Sequence, residues 1–303
     1  MDGAAGLVNT INIQGVAFSV IASVLALATM GVPRFSELTE LVVVAVLILL
    51  LGVPHGALDT VFARELYNIR TSRGWLVWAF AYLLPVILVV SLWHASPLIF
   101  LALFLTASVA HFSGDPAAGT PLITRILYGG AIIVLPAFRH ASDLVRLFSF
   151  LTDPAAAATV VSCLQTLALP WLLAVTAALV ASAFRSYWLT VLEIASVALL
   201  AVLAPPLLAF TIFFCGMHSA RHILRTIQYS GRSSPRFLFG ACVGPMLAVL
   251  VVSGFASAWL RQVPVEARVV QIVFVGLAAL TVPHMALVER VRFSGWVKRA
   301  AGS

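Results

Sequence analysis

The chain has 303 residues, of which 62% are hydrophobic and only 10% are charged, and its mean hydropathy is +1.07. A soluble domain has about 45–50% apolar and about 25% charged residues, so the composition excludes a soluble protein. The net charge of +7 comes mostly from arginines in short gaps between apolar runs. That distribution is typical of membrane topology and not of a nucleic-acid-binding surface, so we expect no nucleic-acid partner.

Ten apolar segments in chain order are predicted as helices that cross the lipid bilayer, with eight or nine as the alternative count. The segment at 157–182 is the least regular because Pro170 divides it, and it could instead be an interfacial helix followed by a short span. The predicted fold class is therefore all-α, a polytopic transmembrane helix bundle that forms one integral membrane domain over residues 1–303. The segments are 13–31, 40–62, 74–94, 97–114, 121–138, 157–182, 186–204, 206–228, 237–258 and 267–288.

Basic residues in the gaps predict the orientation, because loops rich in arginine and lysine stay in the cytoplasm. They follow the second, eighth and tenth segments, which places both termini in the cytoplasm. Four arginines in the fifth and ninth gaps oppose this rule: Arg139, Arg146, Arg261 and Arg268. The supporting residues are Arg64, Arg70, Arg73, Arg225, Arg232, Arg236, Arg290, Arg292, Lys298 and Arg299.

Five of the seven histidines lie inside predicted helices, whereas His94 and His140 lie at helix ends. Counted from the predicted outer ends, the five come at about 12–16 residues, or roughly 18–24 Å of helical rise, and so share one depth. Ionisable side chains inside a membrane are costly and usually face the bundle interior, which makes this layer a candidate functional site. The motifs are GVPHGALD (His55), ASVAHFSGD (His111), CGMHSARH (His218 and His222) and TVPHMALVE (His284).

A metal site is the favoured interpretation of this layer. His218 and His222 are four residues apart on one helix face, where two imidazoles can bind one ion. His55 and His111 supply two more nitrogen donors at the same depth. Imidazole suits iron, copper, zinc and nickel alike, so the residues alone do not choose the metal.

Two aspartates repeat an H-x3-D spacing, since Asp59 follows His55 and Asp115 follows His111 by four residues. A carboxylate at this spacing could accept the second N–H of a ligating imidazole, and solvation at the membrane boundary is the alternative. Arg221, inside HSARH, is expected either to anchor in lipid headgroups or to pair with one of these aspartates.

The motifs PHGALD, HF-x2-D, HSARH and PHM, in this order over residues 52–289, resemble those of the Brp/Blh family of bacterial and archaeal carotenoid-cleaving membrane enzymes. The resemblance implies that dioxygen cleaves the central 15,15′ double bond of β-carotene to give two all-trans-retinal molecules, with Fe²⁺ as cofactor. It implies that His55, His111, His218 and His222 bind the iron and act in catalysis. It leaves His284 as a further ligand or a pocket residue.

The resemblance also implies a location in the inner (plasma) membrane and a functional link to a retinal-binding opsin. Alternatives from other classes are a transporter or proton channel that uses the histidine layer as a relay, and a b-type haem protein. A membrane di-iron enzyme is a further alternative, but such proteins typically carry about eight clustered histidines. Iron content and retinal formation discriminate among these functions.

Overall fold

The computed structural model describes residues 2–32, 35–117, 119–232 and 234–293, and the side chains of those between 9 and 291. These residues form an all-helical bundle, as predicted. Lys298 and Arg299 of the basic tail lie outside them. The α-helices are α1 (Asp2–Ala28), α2 (Glu37–Leu47), α3 (Pro54–Ala57), α4 (Asp59–Tyr67), α5 (Ser72–Ala95), α6 (Pro97–Phe112), α7 (Leu122–Val134), α8 (Ala141–Ser149), α9 (Pro154–Phe184), α10 (Trp188–Leu203), α11 (Pro206–Ile212), α12 (Ala220–Ser230), α13 (Pro235–Trp259) and α14 (Val265–Phe293).

Each of the ten predicted segments is helical in the structure. Seven helices in the described residues are long and apolar enough to cross a membrane. The pair Leu122–Phe138 and Ala141–Ser149, bent by 103°, makes an eighth span if its two helices are counted together. Two further apolar helices, α6 and α10, have 16 residues each and are shorter than a usual span. This composition and these lengths are those of a polytopic membrane protein.

Two details differ from the sequence-based expectation. Pro170 does not divide its segment, because α9 continues through it as one 31-residue helix. The second difference is the amphipathic helix α8, which follows the bend after Phe138 and lies in none of the ten predicted segments. Its nine residues are too short and too polar on one face for the apolar-length criterion to detect.

Local sequence explains where several helices begin. The side chains of Ser36, Thr71 and Asp153 accept hydrogen bonds from the backbone N–H three residues later, at the starts of α2, α5 and α9. These N-caps satisfy N–H groups that have no partner within the helix. Proline opens α3, α6, α9, α11 and α13, where its missing N–H costs no helical hydrogen bond.

Small residues let the central helices approach closely, as is usual inside membranes. A Cβ atom on Gly129 of α7 would lie 2.6 Å from the carbonyl oxygen of Val109 on α6, and one on Gly130 would clash with the Trp171 ring on α9. In contrast, α5 and α13 have no buried residues and lie at the periphery. The centre of the bundle is thus closely packed, and its outer helices face the surroundings.

One end of the bundle gathers basic gaps that the sequence assigns to the cytoplasm. Arg290 Nη1 donates to the Tyr67 hydroxyl at 3.2 Å, and Arg232 Nη2 lies 3.9 Å from Glu65 Oε1. We call this the basic end. The ends of α4, α12 and α14 meet there, as the topology prediction requires of segments that finish on the same side.

Candidate metal centre

The five layer histidines converge on one point inside the bundle. The ring centroid of His55 lies 4.9 Å from that of His218, 5.5 Å from that of His222 and 5.2 Å from that of His284. His111 completes the group, 4.4 Å from His218 and 5.2 Å from His284. The histidines that the sequence places at one depth in the membrane therefore also face one another in the bundle. His94, exposed on α5, and His140, at the start of α8, lie apart from the cluster.

A break in the second span positions His55. A π-helical segment, Ile48–Gly52, ends just before Pro54, and the helical hydrogen-bond pattern shifts there. The N–H of Gly56, which would reach the Gly52 carbonyl in a continuous helix, donates instead to the Val53 carbonyl at 3.1 Å. The Gly52 carbonyl accepts from His55 Nδ1 at 2.5 Å and from Ser219 Oγ at 3.1 Å. This carbonyl therefore fixes the His55 ring and leaves Nε2 for another partner.

A second π-helical segment, Phe213–Ser219, carries His218 and leads into α12. The Nδ1 atom of His218 lies 3.0 Å from each carboxylate oxygen of Asp115. Nothing in the described residues hydrogen-bonds to its buried Nε2 atom. Such π-helical turns recur at functional sites, where they reorient side chains relative to an ordinary helix.

His284 is held in the same way by Asp59. Its Nδ1 atom donates to Asp59 Oδ1 at 2.8 Å, and the other oxygen of this carboxylate accepts from the Tyr82 hydroxyl, also at 2.8 Å. Tyr82, on the peripheral helix α5, was not predicted as a site residue. Its neighbours in the sequence are apolar and form no motif, so they gave no indication of this role.

The H-x3-D hypothesis is wrong about which histidine each aspartate holds. Asp59 binds His284 rather than His55, and Asp115 binds His218 rather than His111. The reason is that the helix is interrupted between the two members of each pair, at Leu58 and after Phe112. Boundary solvation is also excluded, because the two aspartates are only 2% and 3% exposed.

The nitrogen atoms are close enough together to hold a metal ion. One ligand atom from each of His55, His111 and His284 lies within 4.8 Å of the others, and a second such group combines His222, His284 and Asp59. Both oxygens of Asp59 already accept hydrogen bonds, so its role in the second group is to orient His284. The buried Nε2 atoms of His218, His222 and His284 have no hydrogen-bond partner in the described residues. Buried nitrogens of this kind fit a metal.

Aromatic rings cover one side of the histidine cluster. Phe214 stacks on His218 at 5.7 Å and meets His55 edge-on at 5.4 Å, and Phe112 packs edge-on against His218 at 5.0 Å. A cavity of about 70 Å³ continues beyond them, between Phe104, Phe210 and Phe274. The imidazoles thus adjoin an apolar, aromatic region.

Arg221 makes neither of the contacts that its sequence position suggested. It is 1% exposed, too deep for headgroups, and its Nη2 donates to Glu193 Oε1 of α10 at 2.6 Å. It reaches Asp115 only through the backbone carbonyl, at 3.1 Å, and it also binds Gln14 of α1. Sequence analysis missed Glu193, although a single carboxylate in an apolar run is a known indicator of function in membranes.

Gly15 leaves room for this ion pair. A Cβ atom there would lie 2.7 Å from the Arg221 guanidinium and closer still to Glu193. The pair ties α1 and α10 to the loop that supplies Asp115. The ion pair therefore helps to hold Asp115, the hydrogen-bond partner of His218, in place.

Two cavities lie near the basic end. A groove of about 740 Å³ runs between α5 and α14, past Tyr82 and Pro283. A smaller cavity, of about 40 Å³, lies directly against the imidazoles of His111, His218 and His222. We call the smaller one the vestibule.

We expect Asp59→Asn and Asp115→Asn to keep the fold and to lower metal affinity about 10–100-fold, the usual effect of losing an outer partner of a ligand. Tyr82→Phe should lower metal affinity by less, because the Asp59 carboxylate still accepts from His284. Chelator competition measures these affinities, with Tyr67→Phe, at the basic end, as the matched control. Wild-type affinity in both aspartate variants would contradict this role.

Comparison with known proteins gives the family. The chain is 28% identical, over 255 residues, to a curated protein of the uncultured marine bacterium 66A03 named β-carotene 15,15′-dioxygenase, covering 80% of this chain and 90% of that one. No solved structure matches. The predicted resemblance to carotenoid-cleaving dioxygenases is confirmed. Because the family pattern described as β-carotene 15,15′-dioxygenase matches residues 46–291, most of the chain, this protein belongs to that family.

Proposed function

We propose that this chain uses dioxygen to cleave the central 15,15′ double bond of β-carotene into two all-trans-retinal molecules at a histidine-bound, non-haem Fe²⁺. The observation that carries the proposal is the group of five imidazoles inside the bundle in a chain of this family. Three of them, His218, His222 and His284, have buried Nε2 atoms without a hydrogen-bond partner in the described residues. The reaction balances, since one carbon–carbon double bond breaks and each new aldehyde receives one oxygen atom.

The proposed ligands are His55, His111, His218 and His222, joined by His284. His284 belongs to both groups of close ligand atoms, and its Nδ1 is tied to Asp59 as that of His218 is tied to Asp115. Neutral imidazoles leave the ion its full charge, and iron in this setting would supply dioxygen activation beside the alkene. Asp59, Asp115 and Gly52 hold the rings in place by accepting their other N–H groups.

The surroundings suit an apolar polyene. β-Carotene carries no polar group, so it would reach the site from the hydrocarbon interior and not from water. Phe214 and Phe210 stack at 5.3 Å and lead from the imidazoles to the cavity between Phe104 and Phe274. We propose that this aromatic path packs against one half of the polyene and keeps water from the reacting bond.

The alternative functions fit the geometry less well. A haem needs two histidines on opposite faces of a large macrocycle, whereas these imidazole rings lie 4.4–5.5 Å apart with no room for one between them. A proton relay or transporter needs a continuous water path. Apolar rings instead cover one side of the cluster.

We further propose that the protein lies in the inner (plasma) membrane with the basic end and both termini in the cytoplasm. The gathered arginine gaps support this orientation. Transfer of retinal to an opsin remains a prediction from the family resemblance.

We expect cells that make β-carotene to lose their yellow colour and accumulate retinal when the chain is expressed. The measurement is extraction and chromatography of carotenoids and retinoids, with a His218→Ala variant, equal in membrane abundance, as the inactive control. Longer apocarotenals in place of retinal would contradict central cleavage while sparing the metal site. Unchanged carotenoid in cells whose protein is iron-loaded would contradict the function itself.

A further inference from the structure

The vestibule connects the metal centre with the basic end. Its lining passes from Glu289, exposed on α14, to His218, which is 3% exposed. Six of its ten lining residues are ionisable: His111, Asp115, His218, His222, Arg225 and Glu289. Three of these, Asp115, Arg225 and Glu289, belong to the charged residues that make up only 10% of the chain, so this lining marks a polar path.

A divalent cation needs a polar path to this centre. Removing a bare ion from water into hydrocarbon costs far more than a ligand set can offset along the way. On another side, the rings of Phe112, Phe213 and Phe214 are packed against the imidazoles or one another. The vestibule, in contrast, touches His111 and His222, the two cluster histidines that are not fully buried.

The charged groups of the vestibule lie at different distances from the metal centre. Arg225 lies beside it, and its guanidinium donates to the backbone carbonyls of Gly114 and Asp115 at 2.8 and 2.7 Å, which holds this cation against the loop that carries Asp115. The Asp115 carboxylate accepts from His218 at the inner end. Glu289 thus places a carboxylate at the outer edge, where an arriving cation first meets the protein.

We propose that the vestibule is the route by which Fe²⁺ reaches the histidine centre, and that Glu289 is the transient site that first captures it. This inference rests on the proposed metal centre. A carboxylate at the mouth raises the local concentration of cations and lowers the barrier for ions that enter and leave. It does not contact the finally bound ion, so the affinity should not depend on it.

That distinction defines the experiment. Full-length protein in detergent, stripped of metal by a chelator, is mixed with Co²⁺, whose visible absorption reports binding to nitrogen ligands. Glu289→Gln should slow uptake about tenfold, the low end of electrostatic effects on association, and slow release by the same factor. Affinity from chelator competition should stay at the wild-type value. The difference in rate should shrink at high salt, which screens an exposed charge.

Glu266→Gln is the matched control, because it removes the same charge at the other end of the same helix and should leave uptake unchanged. Val288→Phe is a second variant that narrows the vestibule without altering charge, and it should also slow uptake. Wild-type uptake in both Glu289→Gln and Val288→Phe would overturn the route. A weakened affinity in Glu289→Gln would overturn the transient role and make Glu289 part of the centre. Failure of the wild-type chain to bind metal would instead refute the proposed function, an outcome distinct from any change in rate.

Discussion

Alanine at any one of the five clustered histidines is expected to remove most of the bound iron and to stop retinal formation. Each variant deletes a nitrogen donor in a group whose rings lie 4.4–5.5 Å apart. We expect affinity to fall by more than about 100-fold, beyond the effect of losing an outer hydrogen-bond partner. Elemental analysis of purified protein measures the loss.

His94→Ala is the control, because His94 is exposed on α5 and lies outside the cluster. It should retain iron and activity. His284→Ala is the most informative variant, since the family resemblance leaves His284 as either a ligand or a pocket residue and only the geometry favours a ligand. Full iron content in His284→Ala would place this residue in the substrate pocket instead.

Arg221→Met is expected to destabilise the fold by about 3–5 kcal/mol, the usual cost of breaking a buried ion pair, because Glu193 would remain charged and unpaired. Both side chains are 1% exposed. The double variant Arg221→Met with Glu193→Leu should recover most of this stability, since it leaves no buried charge. The measurement is the midpoint of thermal unfolding in detergent.

The exposed pair of Arg232 and Glu65 supplies the control. Its atoms are 3.9 Å apart and its side chains are 48% and 43% exposed, so Arg232→Met should cost less than about 1 kcal/mol. An Arg221→Met protein as stable as this control would show that the buried pair contributes little. The double variant should still bind iron more weakly than wild type, because the Asp115 carbonyl loses the Arg221 donor.

Helix positions could be predicted from the sequence because apolar length reports directly on the bilayer. The convergence of the histidines could be predicted for a related reason. Counting residues from the helix ends fixes depth, and the cost of an ionisable side chain in lipid turns it toward the interior. Both inferences depend on the membrane as solvent and not on details of packing.

The partners of the histidines could not be predicted in this way, because they depend on helix rotation and on interruptions. The i+4 rule holds for a continuous helix, and the chain breaks at Leu58 and after Phe112, between each histidine and its aspartate. The π-helical segments before His55 and around His218 change the direction in which the following side chains point, and they leave no pattern in the sequence. Tyr82 contacts Asp59 from α5, where its sequence neighbours from Trp75 to Val90 are apolar and carry no motif.

Glu193 is a different case, because its position did carry information. It is the only charged residue in α10, and a carboxylate in such a helix requires a buried partner. Its partner could not be chosen, because Arg221 was expected either in the lipid headgroups or beside Asp59 or Asp115. The close approach of α1 at Gly15 instead leaves room for Arg221 beside Glu193 inside the bundle.

The most direct measurement is the iron content of purified chain that forms retinal from β-carotene. We expect about one iron per chain, because five imidazoles around a single point define one site. An active preparation with no iron, or one with two irons per chain, would contradict a single histidine-bound centre.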